Sequence, residues 1–391
     1  MNTTILGALP RKMDARRDTA GSGTPYLSAL GLLTETRKRT VAVSALNLTT
    51  AQQMPVVARD SALDFTKGSL VLFMVLYHWL NYFVGVRGHY YNYLRFLTPS
   101  FIFISGFMIS QMHLRKYGTA GLRLPSRLMV RGLKLLAVFA SLNVLIGLAL
   151  PGSLVRLSFV GSSLPTSLFS VFVTGNVISS GDQKSTAFVI LVPIAYLLIF
   201  SAALTLLYRR VKYVFHYAFG LCLLWILLLN RVGMISSNLY LLMIGVLGVV
   251  FGFASREQIA ALVNRRYLLY GLYCVYLVAI TLWDVTLPVQ TTGAVLTTAL
   301  IYIVGDKRKR EPGMVQARVN LLGKYSLFGY IAQIAILQVL RRVSWFCQHG
   351  VMVLLISLLL GFMLTVVVVE LLDWAKVQSR TVNRLYRLVF A

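Results

Sequence analysis

The chain has 391 residues, of which 57% are hydrophobic and only 13% are charged. A soluble domain carries about 25% charged residues, so this composition excludes an ordinary soluble globular protein. The formal net charge is +26, which in a soluble protein would indicate binding to nucleic acid. Here the basic residues lie in short segments between apolar blocks, a pattern typical of orientation in a membrane. We therefore expect a lipid bilayer as partner and no nucleic acid.

The first 55 residues differ from the rest because they are polar, basic and rich in Ser and Thr. Their apolar run at 26–33 is too short and too far from the start for a signal peptide. The composition favours a disordered cytosolic tail, and a translation start at Met54 is the alternative. The predicted organisation is this tail at 1–55, a membrane domain at 56–375 and a cytosolic C-terminal tail at 376–391.

The apolar blocks predict an all-α, polytopic membrane helix bundle with about ten transmembrane helices. A span needs roughly 20 mostly apolar residues. It is helical because a backbone in lipid must satisfy its own hydrogen bonds. The predicted spans are 64–85, 92–112, 129–150, 187–208, 213–230, 234–254, 267–284, 290–305, 321–340 and 350–373.

The distribution of basic residues tests this alternation of spans. With the N-terminus in the cytosol, 31 of the 38 Lys and Arg residues fall on the cytosolic side and 7 on the outer side. Such a bias is the positive-inside rule. It predicts both termini in the cytosol and a multi-pass protein of the plasma (inner) membrane. The one long outer segment is 151–186, and its part at 154–173 is either a re-entrant element or an ordinary loop.

His78 is the one histidine placed deep inside a predicted span, where ionisable side chains are costly and often functional. Lys67 precedes it by eleven residues, about three helical turns, so both side chains share a face about 16 Å apart along the axis. This geometry suits a donor with an anionic head and a long arm, such as acyl coenzyme A. A structural His in the bundle and a positive-inside Lys are the plainer alternatives.

The third span is entered by a series of basic residues. Arg123, Arg127 and Arg131 recur every fourth residue, and Lys134 continues the face of the last two. A basic stripe of this kind can bind phosphates. The positive-inside rule and contact with lipid head groups are the alternatives. Asp64 is predicted to pair with Lys67 at i, i+3 or with this stripe.

Three segments carry a family pattern. The first has Leu63-Asp64, Lys67-Gly68 and His78, and it resembles the opening of the integral-membrane acyltransferase family often called acyltransferase 3. That family has Leu-Asp, then Arg-Gly, then a His eleven residues after the Arg, so a Lys here replaces the Arg. The second segment is LTPSFIFISGFMIS at 97–110, similar to the family's aromatic-rich segment that ends in Ser-Gly, here Ser105 and Gly106.

The third segment is LGKYSLFGYIAQ at 322–333. Gly323, Ser326 and Tyr330 match the family's third motif, and Gln333 stands where a His is usual. The resemblance covers the first, second and penultimate predicted spans and the basic entry to the third. Glucan succinyltransferases and membrane N-acetyltransferases of amino sugars share the opening.

The resemblance implies transfer of an acyl group, usually acetyl, from cytosolic acyl-CoA to a carbohydrate hydroxyl at the outer side. No permanently bound cofactor and no metal are expected. His78 would be the catalytic general base or a transient acyl carrier. The donor would be bound by Lys67, Arg123, Arg127 and Arg131. The residues expected to have a structural role are Asp64, Ser105, Gly106, Gly323, Ser326 and Tyr330.

The residues around His78 suggest where the acceptor binds. Tyr77 and Asn81 would line that site, and Gln333 is a further polar candidate for which an interhelical hydrogen bond is the simpler role. For Tyr82 we favour anchoring at the membrane interface or contact with a neighbouring helix. The alternative functions are a transporter or flippase for a small or lipid-linked substrate, or a non-catalytic membrane scaffold. A transporter would be supported by an inverted repeat, and none is evident in the sequence.

Overall fold

A computed structural model describes residues 60–85, 89–114, 123–149, 168–175, 188–283, 286–306, 313–343 and 350–390. The predicted tail at 1–55 lies outside these ranges. The described part is helical and contains no strand, which confirms the all-α prediction. Its longer helices are α1 (Ser61–Trp79), α2 (Leu97–Met108), α3 (Arg123–Ala149), α4 (Leu191–Tyr208), α5 (Val214–Arg231), α6 (Ser237–Phe251), α7 (Arg256–Asn264), α8 (Arg266–Leu282), α9 (Leu287–Asp306), α10 (Met314–Lys324), α11 (Ser326–Arg342), α12 (Val351–Gln378) and α13 (Arg380–Phe390).

The segments predicted as spans fall mainly on helices in the described chain, but the one at 321–340 includes Tyr325, which separates α10 from α11. By length and composition, six of the described helices can cross a membrane: Tyr91–Leu114, Arg123–Leu145, Leu191–Tyr208, Val214–Arg231, Leu287–Asp306 and Val351–Gln378. Two shorter helices, α6 and α8, are also apolar. The membrane character predicted from composition therefore appears in individual helices of sufficient length.

The outward faces of several helices are apolar. On α5, Leu221, Trp225 and Leu228 are exposed, and on α12 so are Leu359 and Met363. In water, exposed apolar surface of this extent would favour association with other surfaces. Hydrocarbon around the bundle removes that cost, so these faces are suited to contact lipid tails.

Helix α1 packs against α2, α9, α10, α11 and α12. Gly68 and Gly323 set its distance from α10. A Cβ at Gly68 would lie 1.9 Å from the carbonyl oxygen of Val319, and one at Gly323 would lie 1.7 Å from that of Asp64. Further along the same face, Val71 lies 3.3 Å from the position of a Cβ at Gly329 on α11. Small residues let the backbones approach, which is how membrane helices gain packing energy without a hydrophobic drive. This face of α1 leads from Asp64 to His78.

A second centre of packing is α6, which contacts α2, α4 and α5. A Cβ at Gly106 on α2 would lie 1.9 Å from the carbonyl oxygen of Gly245, and one at Gly248 would lie 2.1 Å from that of Phe103. Glycines on both helices thus bring α2 and α6 into close backbone contact. Helix α2 also packs on α1 and thereby connects the two centres.

The described part of the long segment at 151–186 is a short helical turn, Phe169–Thr174. The buried Asn238 at the start of α6 donates from Nδ2 to the carbonyl oxygens of Val171 (2.9 Å) and Phe172 (3.2 Å). The Tyr196 hydroxyl on α4 donates to the same Phe172 oxygen at 2.8 Å. These bonds satisfy carbonyls at the end of the turn and attach it to α4 and α6. Residues 154–167 of the predicted re-entrant element lie outside the described ranges.

The C-terminal segment predicted as a tail contains the end of α12 and all of α13. Tyr386 of α13 packs edge-on against Tyr325 with ring centroids 5.4 Å apart, and Phe390 packs against Phe328 at 6.0 Å. The Lys376 ammonium lies 3.9 Å from the centre of the Tyr386 ring. These contacts attach α13 to the junction of α10 and α11.

Candidate functional site

The helix that carries His78 begins at a capped end. Asp60 accepts hydrogen bonds from the backbone N–H groups of Ala62 (2.9 Å) and Leu63 (3.3 Å), which satisfies two of the four free donors at a helix start. Directly after His78 and Trp79 the helix widens into a π-helical turn, Leu80–Val84. Gly85 ends this turn at a φ of +93°, a conformation that glycine adopts readily. Wide turns of this kind are frequent at functional sites.

His78 lies among aromatic side chains inside the bundle. The Tyr77 ring is edge-on to it at 5.2 Å between centroids, Tyr82 stacks on it at 6.1 Å, and Tyr330 of α11 lies at 6.0 Å. The residue as a whole is half-buried, but its Nε2 atom is enclosed and has no hydrogen-bond partner among the described residues. A buried polar nitrogen without a partner is costly, so an incoming group that bonds to it would be favoured.

Gln333 lies on α11 one turn beyond Tyr330. It is fully buried, and within the described part of the chain neither Oε1 nor Nε2 has a hydrogen-bond partner. No described residue therefore makes the simple interhelical hydrogen bond considered from the sequence. An amide buried in this state leaves two donor hydrogens and an acceptor oxygen available to a bound molecule.

Tyr82 contacts the site from the π-helical turn. The sequence favours an interfacial anchor or a helix contact for it, and its ring stacks on His78. The Tyr82 side chain interacts with Gln338 on α11. Asn81, one turn beyond Tyr77, interacts with the Tyr77 side chain. The predicted Tyr77 and Asn81 thus lie beside His78, and Tyr82 and Tyr330 complete its aromatic surround.

At the other end of α1, Lys67 and Asp64 form an ion pair of 2.7 Å between Nζ and Oδ1. This confirms the predicted i, i+3 pairing. Both side chains are nearly buried, with 11% and 10% of their surface exposed. Gly323 lies against this point, since a Cβ there would be 1.7 Å from the Asp64 carbonyl oxygen. Lys67 is therefore a neutralised cation where α1 meets α10.

The basic stripe lies at the start of α3. Arg123 and Arg127 are exposed, and Arg131 is half-buried with its Nη1 3.2 Å from Nε2 of His113. Arg131 of α3 contacts His113 after α2, and Gln111 after α2 donates to the Ala254 carbonyl oxygen after α6 at 3.1 Å. Tyr77 near the end of α1 bonds Tyr91 before α2, so the starts of α1 and α3 and the ends of α2 and α6 lie at the same end of the bundle. The described contacts of these cations join Arg131 to His113 and Lys67 to Asp64.

The remaining predicted positions are in contacts between and within helices. Ser105 on α2 donates to the carbonyl oxygen of Phe101 at 2.7 Å, a bond within its own helix. Gly106 lies against α6 as described above. Ser326 is the first residue of α11 and is half-buried.

A cleft of about 360 Å³ opens at the opposite end of the bundle from Lys67. Its walls come from the end of α1, the start of α2, the end of α5 and the starts of α6 and α9. The polar and aromatic residues among its lining are Tyr77, Tyr91, Arg95, Thr98, Asn230, Ser236, Ser237, Tyr240 and Gln290. The volume lies in the range of about 300–1,000 Å³ that is usual for ligand pockets.

Tyr77 connects this cleft with the histidine. Its hydroxyl is hydrogen-bonded to that of Tyr91, and the two rings lie 5.2 Å apart. The Tyr77 ring also contacts the His78 ring edge-on. A molecule in the cleft is therefore separated from His78 by one tyrosine side chain.

Sequence reasoning missed Tyr91, Arg95 and the α5, α6 and α9 side of the cleft. Local periodicity carries no signal for them, because they join the site only through packing between distant segments. Tyr91 and Tyr93 do belong to a tyrosine-rich stretch shortly after His78, which is the one hint in the sequence.

Comparison of the chain with protein-family models, with curated proteins and with solved structures finds no match.

Proposed function

We propose that the protein is a membrane O-acyltransferase that moves an acyl group from acyl-CoA to a carbohydrate hydroxyl, with His78 as the general base. The observation that carries this proposal is the enclosed Nε2 of His78. It has no hydrogen-bond partner in the described ranges, and one tyrosine separates its ring from a cleft. The resemblance of the α1, α2 and α11 segments to membrane acyltransferases supports the same reading. The aromatic rings of Tyr77, Tyr82 and Tyr330 around His78 support it as well.

The proposed reaction is a single acyl transfer. An acceptor hydroxyl gives its proton to His78 Nε2 while its oxygen attacks the thioester carbonyl carbon. The tetrahedral intermediate then collapses, the C–S bond breaks, and the coenzyme A sulfur leaves with the proton returned by His78. General-base catalysis of this type contributes about 10²- to 10⁴-fold in rate.

Gln333 is suited to stabilise the charge that develops on the carbonyl oxygen. Its side-chain amide is buried and unpartnered, so its N–H groups need no rearrangement to donate to an oxyanion. Donors held ready in a dry site are worth more than the same donors in water. Tyr330, one turn away and packed on His78, would hold the imidazole ring in position.

The proposed orientation has ten spans, both termini in the cytosol and the membrane as the plasma (inner) membrane. The positive-inside bias of the sequence supports it. In this orientation the Lys67 end of α1 and the Arg123, Arg127 and Arg131 stripe face the cytosol, where acyl-CoA is available. The cleft then opens to the outer side, so His78 lies between donor and acceptor.

The test uses the purified full chain with radiolabelled acetyl-CoA and a panel of mono- and disaccharides. We expect transfer by the wild type and a loss of about 10²- to 10⁴-fold in His78→Ala. His216→Ala is the matched control, because His216 is an exposed histidine that stacks on Phe253 of the segment after α6. Full activity in His78→Ala would refute the mechanism.

A second measurement separates catalysis from transport. Proteoliposomes with acetyl-CoA on one side and acceptor on the other should yield acetylated product. Passage of either molecule unchanged, without product, would favour a transporter instead.

A further inference from the structure

The cleft beside Tyr77 contains one charged side chain among its described lining residues, and that residue is Arg95. No described carboxylate lines the cleft, and none of the described ion pairs involves Arg95. The residue is exposed. A concave site with a single fixed cation concentrates anions, since low-dielectric walls focus its field.

Contacts between helices hold Arg95 in place. Gln290 of α9 donates from Nε2 to the Arg95 carbonyl oxygen at 2.9 Å. The Arg95 guanidinium carbon lies 6.0 Å from the centre of the Tyr91 ring, over its face. A guanidinium placed over an aromatic ring still has N–H groups that can bond an oxyanion in two places.

The rest of the cleft is suited to a ring that carries hydroxyl groups. Tyr240 is buried and donates to the carbonyl oxygen of Leu287 at 2.7 Å, which fixes α6 against α9. Around it, amide and hydroxyl side chains of Asn230, Ser237 and Gln290 line the walls. Aromatic faces with a few polar groups are the usual make-up of a small-molecule site.

We propose that this cleft binds an acidic sugar, a pyranose ring bearing a carboxylate or phosphate, with its anionic group on Arg95. The inference rests on the proposed acyltransferase function and names the class of its acceptor. With the anion on Arg95, a hydroxyl on the same ring points along Tyr77 toward His78. The acceptor glycan is therefore one that contains uronate or sugar-phosphate units.

The first test is direct binding to the full chain in nanodiscs of phosphatidylcholine. The probes are D-glucuronate and glucose 1-phosphate, with neutral D-glucose as the comparison. We expect Arg95→Gln to weaken binding of both acids by about 10- to 100-fold, the loss of one charge-assisted bidentate contact, while glucose binding changes little. Arg342→Gln is the control, because Arg342 is an exposed arginine that does not line the cleft.

Three results would overturn the inference. One is equal binding of glucose and glucuronate by the wild type. Another is unchanged affinity for the acids in Arg95→Gln. The last is loss of glucuronate binding when phosphatidylglycerol is added to the nanodiscs, which would make a lipid head group the anion that Arg95 binds.

Transferase assays keep this inference separate from the proposed function. Acetyl transfer to neutral sugars at equal or higher rate than to acidic ones would refute the acidic acceptor and leave the acyltransferase standing. Arg95-dependent binding of glucuronate without acetyl transfer to any sugar of the panel would refute the acyltransferase and leave the anion site standing.

Discussion

Gly323 of α10 lies directly against the backbone of Asp64 on α1, so that a Cβ at Gly323 would be 1.7 Å from the Asp64 carbonyl oxygen. The two helices have no room for any side chain at this point. The contact positions the first half of α1, which carries Lys67, and with it the helix face that runs from Lys67 to His78. Both residues came from separate segments of the sequence resemblance, and the fold brings them together.

Gly323→Ala should therefore destabilise the bundle. The methyl group meets backbone, which cannot rotate away, so α1 and α10 must move apart, at a cost of about 1–3 kcal/mol or more. Thermal unfolding of the purified protein in detergent measures the change. Gly271→Ala is the matched control, since no atom lies within 4 Å of a Cβ there and alanine favours a helix more than glycine does. Equal melting temperatures for the two variants would contradict the close contact.

Asp64→Asn should destabilise the protein more than removing both members of the ion pair. The single change takes away the carboxylate beside a nearly buried ammonium, and breaking a buried pair in this way costs about 3–5 kcal/mol. The double variant Asp64→Asn, Lys67→Met leaves no charge to bury and should recover much of that loss. The check is a double-mutant cycle of unfolding free energies, and additive single effects would argue against the pair.

Gln333→Met should separate stability from activity. The change removes two buried polar atoms that have no partner, each of which costs about 1–3 kcal/mol, so the melting temperature should stay equal or rise. Transferase activity should fall, since removing one oxyanion donor costs about 10²- to 10³-fold. The melting temperature and the transferase activity are measured on the same preparation of Gln333→Met. Lower stability with full activity would make Gln333 a structural residue only.

Asn238→Ala should loosen the turn at Phe169–Thr174. The variant loses the two donations to the carbonyl oxygens of Val171 and Phe172, which leaves both acceptors with fewer partners in a buried place. Hydrogen exchange of peptides covering this turn should rise relative to the wild type. Thr205→Val serves for comparison, because its lost bond to Ser201 lies within α4. Exchange that stays unchanged in Asn238→Ala would show that other contacts hold the turn.

The amino-acid sequence by itself determined the class of fold, because a chain with 57% hydrophobic and 13% charged residues must bury helices in lipid or in one another. It also determined relationships that depend only on helical period. One is the Asp64–Lys67 ion pair. Another is the common helix face of Lys67 and His78.

Only the tertiary structure decided what surrounds His78. Tyr330 reaches it from α11, some 250 positions along the chain, and the cleft needs α2, α5, α6 and α9 together. Such contacts follow from how helices pack, and glycine positions such as Gly68 and Gly323 set that packing through three-dimensional shape that no local pattern encodes.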